Sequence, residues 1–315
     1  MKVVNDVSGL IGNTPMVRLN CGLVNQRATI LAKVESMNPG GSIKDRICLS
    51  MIEMAEQSGQ LKAGDTIVEP TAGNTGVGLS IVALAKGYRI TLCMPENVSQ
   101  EKYSLLSAYG AEIILTSVDS GMAGAIWEAE ELVSRKPSHF MPNQFDNPAN
   151  PLAHQQTTGQ EILQTLRRSG YQQLDYLVTG VGTGGTLTGV GRALKSHFPD
   201  VKIVAVEPSV SPVLSGGEPA PTRIDGIGAG MVPKVLELGL IDQIATVSDE
   251  DAYQAMRYIA EEEGYLVGIS SGANLHAALK LAHDVGPGKT IVTFFCDTGE
   301  RYLSLGQYFN GNDEL

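Results

Sequence analysis

Three features of the sequence predict an α/β protein of two domains, each a mainly parallel twisted sheet flanked by helices. From Ile30 onward, short apolar runs of strand type alternate with segments of helical period. Many of the 36 glycines fall where such a strand hands over to a helix, a corner at which backbone approaches ligands closely. The stretch from Pro137 to Pro151, dense in proline and asparagine, interrupts this rhythm midway through the 315 residues. It reads as a crossing between domains, 1–148 and 149–315. The βαβ rhythm calls for parallel strands covered on both faces.

The elements follow in order. Gly12-Asn13-Thr14-Pro15 makes a turn within Ile11–Leu19, with an extended segment after it. Ile30–Glu35 alternates as a strand does. Asn38-Pro39-Gly40-Gly41-Ser42-Ile43-Lys44-Asp45-Arg46 then leads into a helix. Ser42 and Asp45 have the spacing of a capping box, which predicts a start at Ile43; Ile47, Met51 and Met54 carry the helix to Gly59. Thr66–Glu69 is a strand, and the polar loop Thr71–Gly76 opens a helix through Leu79, Val82, Ala83 and Lys86 that ends at Gly87. Strand Arg89–Met94, helix Glu101–Ala108, strand Glu112–Thr116 and helix Ala123–Ser134 complete the first half. The second half reads as helix Thr158–Arg168, strand Asp175–Val181, helix Leu187–His197 and strand Lys202–Glu207. Ser209–Pro233 has no period and is either a functional loop or a flap. A second capping box, Ser248 and Asp251, opens a helix with Ala252, Ala255, Met256 and Ile259 on one face. Tyr265–Ile269 and Thr290–Cys296 are predicted to finish the sheet.

Net charge is −11 with no basic run, which argues against nucleic acid and anionic membrane surfaces as partners. Cys21, Cys48, Cys93 and Cys296 form no CxxC pair, so free, mostly buried thiols in a reducing compartment are expected. The histidines show no ligand spacing; His276 and His283 read as helix-surface residues, and no metal site is signalled. Met1–Gly9 lacks the apolar core of a signal peptide and no apolar run spans a membrane, so the cytoplasm is expected. Asn312-Asp313-Glu314-Leu315 is faintly similar to a retention tail, a likeness read as chance.

Three stretches carry chemistry. Lys44 falls in the first turn of a helix, where a cation meets the positive end of the macrodipole. Either it bends to solvent or pairs with a carboxylate, or it is held with a lowered pKa or as a Schiff base for covalent chemistry. Gly180, Gly182 and Gly185 fit a dinucleotide fingerprint, with Glu207 as its ribose-binding acid. The competing reading is a phosphate cradle of Gly182-Thr183-Gly184-Gly185-Thr186 at a helix N-terminus. Glycines needed only for tight packing are the third. Thr71, Asn74 and Thr75 project from the carboxyl edge of a sheet, where hydroxyls, an amide and backbone N–H groups suit a carboxylate; a plain capped helix start is the alternative.

Further motifs join these: Glu69-Pro70-Thr71-Ala72-Gly73-Asn74-Thr75-Gly76, Gln144-Phe145 before Asn147-Pro148-Ala149-Asn150-Pro151, Gly226-Ile227-Gly228, Gly268-Ile269-Ser270-Ser271-Gly272, and Gly299-Glu300-Arg301-Tyr302-Leu303-Ser304. With Gly12-Asn13-Thr14-Pro15 and Asn38–Arg46, in order over nearly the whole chain, the set resembles the cysteine synthases (O-acetylserine sulfhydrylases). These are pyridoxal-phosphate enzymes of fold type II, the tryptophan-synthase-β and cystathionine-β-synthase superfamily. The resemblance implies that Lys44 bonds the cofactor and is the catalytic base, and that Gly182, Thr183, Gly184, Gly185 and Thr186 hold its phosphate. It implies Asn74 at the pyridoxal 3′-oxygen and Ser270 at the pyridine nitrogen, with Ser271 adjacent. Thr71, Ala72, Gly73, Thr75 and Gln144 match the substrate-carboxylate site, and Gly226 lines it. Residues of about 12–36 are implied to cross into the other domain's sheet. The activity implied is O-acetylserine and sulfide to cysteine and acetate, by a homodimer whose site also takes the C-terminus of serine acetyltransferase.

The match has departures. Ala72 stands where most of the family has serine, as in O-acetylserine-dependent cystathionine β-synthases that use homocysteine. Cys296-Asp297 is similar to the B-type enzymes, some of which use thiosulfate, whereas Gly226-Ile227-Gly228-Ala229-Gly230 resembles the A-type. O-phosphoserine users share the fold, so the donor also stays open.

Overall fold

The computed structural model describes residues 3–20, 28–71 and 73–308, with side chains as far as 303. Cys21, Ala72 and the 312–315 tail lie outside the described residues. In chain order the strands and helices are β1 (Met16–Arg18), β2 (Thr29–Val34), α1 (Lys44–Gln57), β3 (Thr66–Pro70), α2 (Asn74–Lys86), β4 (Arg89–Pro95), α3 (Gln100–Ala108), β5 (Glu112–Thr116), α4 (Gly121–Arg135) and β6 (His139–Phe140). Then come α5 (Ala149–Ala153), α6 (Gly159–Arg168), β7 (Tyr176–Gly180), α7 (Gly185–Lys195), β8 (Lys202–Pro208), β9 (Gln243–Val247), α8 (Asp249–Glu263), α9 (Ile269–Val285) and β10 (Thr290–Phe295). The chain divides into two compact units, Met1–Ile11 with Asn38–Asn150, and Gly12–Met37 with Pro151–Leu315.

In the first unit the described strands form a sheet of order β5-β4-β3-β6, parallel throughout. Ala125 and Ala129 of α4 pack on Val68 and Cys93. Helices α1 and α2 approach so closely that a Cβ on Gly78 would lie 2.8 Å from the Cys48 Sγ. In the second unit the order is β1-β2-β10-β7-β8-β9, with β1 antiparallel and the rest parallel. All six residues of β10 are buried, as a strand covered on both faces requires. The core there joins Ile30, Val204, Val206 and Phe295 of the sheet to Met256, Ile259, Ile269 and Leu275 of the helices.

Three expectations are corrected. The helix predicted from Ile43 starts at Lys44, and Ile43 caps it without a side-chain hydrogen bond. The Ser42–Asp45 capping box does not form, because Asp45 turns back to accept the Gly40 N–H at 2.5 Å. Tyr265–Ile269 is not a strand: Val267 makes an isolated bridge to Thr298, and Ile269 already begins α9. Tyr265, Leu266 and Val267 lie in the short connection between α8 and α9, and only Ile269 belongs to a helix. Thirdly, helical structure begins at Ala149 rather than Thr158, because Asn147 Oδ1 accepts the Ala149 N–H at 2.9 Å. Pro151 is compatible with that first turn, where its missing N–H is not needed. Strand β9 gave no apolar run because it forms the half-exposed edge of its sheet.

Two buried charges hold turns in place. Lys33, inside β2, is wholly buried. Its Nζ donates to the Thr14 carbonyl oxygen and, at 2.6 Å, to Glu161 Oε2. Glu161 Oε1 accepts the Asn13 N–H at 2.9 Å, pinning a turn in which Gly12 and Asn13 have φ of 87° and 51°. In the first unit Glu69, 1% exposed, accepts the N–H groups of Asn143 at 2.9 Å and Gln144 at 3.2 Å. Burial pushes its carboxyl up to about 7, against the two hydrogen bonds that favour the ionised form.

Glu161→Ala leaves the Lys33 ammonium without its carboxylate and is expected to cost about 3–5 kcal/mol in urea unfolding. Adding Lys33→Met should recover part of that loss. A single variant within about 0.5 kcal/mol of the parent would contradict this account. The Glu69 pKa is raised on folding, so its contribution is complete below 4.5, the unfolded value, and is lost as pH rises through about 7. The stability difference, parent minus Glu69→Gln, should therefore fall by up to about 3 kcal/mol between pH 4.5 and 8. A flat difference across that window would count against the burial argument.

Candidate active site

In the first unit, Lys44 opens α1 after a turn that only glycine can make. A Cβ on Gly40 would lie 2.5 Å from Asp45 Oδ1, and Gly41 has a φ of 73°. The acid of the first turn is Asp45, which is buried. Lys44 is half-buried, its backbone N–H bonds Ser42 Oγ, and among the described residues its Nζ makes no hydrogen bond or ion pair. The carboxylate-paired reading of this lysine is therefore not the one the structure takes; the amine is available.

The loop between β3 and α2 presents polar groups at a helix start that no side chain caps. Gly73 is the N-cap, and the first turn holds no acid. Thr71 Oγ1 accepts the Gly73 N–H at 3.3 Å. Buried Thr75 donates its hydroxyl to Gln144 Oε1 at 2.7 Å. The Gln144 carbonyl accepts from Asn150 Nδ2 at 2.8 Å and its N–H goes to Glu69. Its Nε2 is left to donate. Thr71, Gly73, Asn74, Thr75 and Gln144 thus belong to one unit, on or beside the carboxyl end of β3. Uncapped N–H groups, hydroxyls and an amide donor are suited to a carboxylate.

The second unit holds the glycine-rich turn between β7 and α7. A Cβ on Gly182 would lie 2.2 Å from the Gly226 carbonyl oxygen, and one on Gly184 would meet Leu236 Cβ at 2.7 Å. Gly184 has a φ of 83° and caps α7 without a side chain; the first turn has no acid. Thr183 Oγ1 accepts the Gly185 N–H at 3.4 Å, and Thr186 Oγ1 lies 3.3 Å from His154 Nε2. The dinucleotide reading fails on Glu207. Its carboxylate is buried and accepts the N–H groups of Leu214 and Ser215 and the Ser215 hydroxyl. No oxygen is free for a ribose. A single phosphate fits the cradle, which supplies backbone N–H groups, two hydroxyls and the positive end of a helix.

Gly226, with a φ of 98°, faces the first turn of α9; a Cβ there would lie 3.4 Å from Ser270 Oγ. The two serines differ. Ser271 Oγ accepts the Cys296 N–H at 2.8 Å, whereas Ser270 Oγ has no hydrogen-bond partner among the described residues. Ser270 is the one left for a ligand.

Glu69 and His154 were missed by sequence reasoning as members of these clusters. A carboxylate closing the apolar run Thr66–Glu69 was a legible signal. His154 carried none, since its contact with Thr186 depends on a π turn, His154–Thr158. No helix among the described residues is long and apolar enough to cross a membrane.

Residues 7–297 match the family described as pyridoxal-phosphate dependent enzymes. A cysteine synthase from Staphylococcus aureus is 50% identical over 307 residues, 98% of each chain. An O-ureido-L-serine synthase structure superimposes with a TM-score of 0.92 at 42% identity, covering 100% of this chain and 98% of its own. A cysteine synthase from Entamoeba histolytica does so with a TM-score of 0.93 at 37% identity, covering 100% and 93%. On this match over residues 7–297 and the relative 50% identical across 98% of the chain, the chain belongs to the family of pyridoxal-phosphate dependent enzymes.

Proposed function

We propose that this protein makes L-cysteine by β-replacement, converting O-acetyl-L-serine and sulfide to cysteine and acetate. The observation that carries the reading is the free Lys44 amine at a helix start in the same unit as a loop suited to an amino-acid carboxylate. The cysteine synthase relative, matched over 98% of this chain, supports it. Pyridoxal phosphate, when bound, would supply an electron sink for the charge left at the substrate Cα. Gly182, Thr183, Gly184, Gly185 and Thr186 would hold its phosphate, Asn74 its 3′-oxygen and Ser270 its ring nitrogen. A serine hydroxyl does not protonate that nitrogen as an acid would, which favours loss of a leaving group over storage of charge in the ring. Thr71, Gly73, Thr75 and Gln144, with Ala72 and Gly226, receive the substrate carboxylate. Lys44 Nζ takes the Cα proton as general base. The Cβ–O bond to acetate breaks, a Cβ–S bond to sulfide forms, and Lys44 returns a proton to Cα.

The reading takes residues 1–148 and 149–315 as the two domains, with about 12–36 in the second domain's sheet. It also carries with it a homodimer in the cytoplasm, and capture of a serine acetyltransferase C-terminus in the carboxylate loop; a peptide ending in isoleucine should then compete with O-acetylserine. Ala72 favours a second reading, with homocysteine as the thiol; thiosulfate is the third candidate.

The purified protein should absorb visible light, shift its spectrum with O-acetyl-L-serine, and return to the starting spectrum with the true nucleophile. Sulfide is expected to be the fastest of the three. A coloured protein unmoved by O-acetylserine would refute the donor. Lys44→Ala should lower turnover by about 10²–10⁴-fold with the thermal midpoint unchanged. Retained turnover would remove Lys44 from the chemistry.

A further inference from the structure

The polar groups of Gln144 are almost all committed. Its N–H goes to Glu69 Oε1, its carbonyl accepts from Asn150 Nδ2, and its Oε1 accepts from Thr75. What remains is the side-chain Nε2, the donor assigned above to the substrate carboxylate. The residue before it, Asn143, is exposed and has a φ of 53°, a left-handed backbone that is uncommon outside glycine and that asparagine takes more readily than most. Glu69 holds this turn, since one oxygen takes the Asn143 N–H and the other the Gln144 N–H. The two backbone donors go to different oxygens of the one side chain. A carboxylate has two such oxygens, and an amide has one.

Glu69 is the next-to-last residue of β3, the strand that runs directly into Thr71. One strand end thus fixes both sides of the carboxylate loop, Thr71–Thr75 through the chain and Gln144 through the Glu69 carboxylate. An ordinary core position would be filled at less cost by an apolar residue, as Ile67 and Val68 are in the same strand.

We propose that Glu69 is a positioning residue for the substrate carboxylate, acting through the 143–144 turn to present the Gln144 amide. This rests on the assignment of Gln144 made above. Burial pushes the Glu69 carboxyl up to about 7, consistent with a charge placed for its geometry rather than for stability.

The test is a double-variant cycle on the holoenzyme, with O-acetyl-L-serine binding read from the shift of the visible band. Glu69→Gln and Gln144→Ala should each weaken that binding by about tenfold. The double variant should bind no more weakly than Gln144→Ala alone, and the KM for the nucleophile should stay unchanged. Additive losses would overturn the proposal, since Glu69 would then act elsewhere. If Glu69→Gln does not fold, Glu69→Asp replaces it, keeping the charge while being too short for both donors. Hydrogen exchange at the amides of residues 143–145, without any amino acid present, should be at least about tenfold faster in the Glu69 variant. Unchanged exchange would overturn the proposal whatever the donor proves to be. Undiminished binding by Gln144→Ala, with exchange faster in the Glu69 variant, would instead locate the failure in the assignment of Gln144.

Discussion

Backbone N–H groups at buried helix starts, left without side-chain caps, are the constraint on which the rest of this structure depends. The first N–H groups of a helix need acceptors, and inside a protein they must find them in side chains, water or ligand. Where no ligand is assigned, the chain supplies its own: Ser99 caps α3 by accepting the Lys102 N–H, and Ser248 caps α8 by accepting that of Asp251. The N-cap residues of α1, α2, α7 and α9 make no such bond, although Asp45, Thr75, Gly185 and Ser270 beside them are buried; in α1 and α7 the first N–H reaches a hydroxyl of the preceding loop, Ser42 Oγ and Thr183 Oγ1. Helix α4 also lacks a cap, but Met122 and Ala123 of its first turn are exposed to solvent. Helix α6 is uncapped and buried at Gly159 as well, but it continues directly from the π turn His154–Thr158; the other four starts carry the residues assigned to cofactor and substrate.

Glycine at these starts does two jobs. At Gly73, Gly184 and Gly268 it occupies the cap position itself. At Gly182 it lets the backbone approach the Gly226 carbonyl oxygen within a distance that no Cβ permits. The 182–186 loop offers backbone N–H groups and hydroxyls, with no Lys or Arg among its residues. In a chain of net charge −11, a dianion held this way relies on convergent N–H dipoles, which are strong only where water is excluded.

Most of the fold was legible because its signals are local. Strand runs such as Arg89–Met94 and helical runs such as Ala123–Ser134 lie within one element each, and β4 and α4 cover them. The errors fall where a signal has two outcomes that only tertiary partners decide. Ser42 and Asp45 have capping-box spacing, yet the Asp45 carboxylate accepts the N–H of Gly40, a partner set by the turn. Tyr265–Ile269 has strand composition but adjoins a glycine that starts a helix. The cradle was visible as glycine spacing, whereas the failure of the dinucleotide alternative was not. That failure depends on the Glu207 carboxylate being taken by Leu214 and Ser215, in a loop without period.

Adjacent residues of the same type show how such ambiguities resolve. Ser270 and Ser271 are chemically identical and both are buried. Strand β10 ends at Phe295, and the next N–H, that of Cys296, has left the sheet ladder and needs an acceptor. Ser271 provides it. One backbone donor thus consumes one serine and leaves the other for a ligand. Glu207 and Glu69 obey the same accounting, each taken by backbone N–H groups of the segment it faces. They differ in consequence, because the segment tied by Glu69 ends in an amide with one donor still unspent. The role of a polar side chain in this protein is therefore set by which backbone groups near it lack partners, and motif spacing alone does not contain that information.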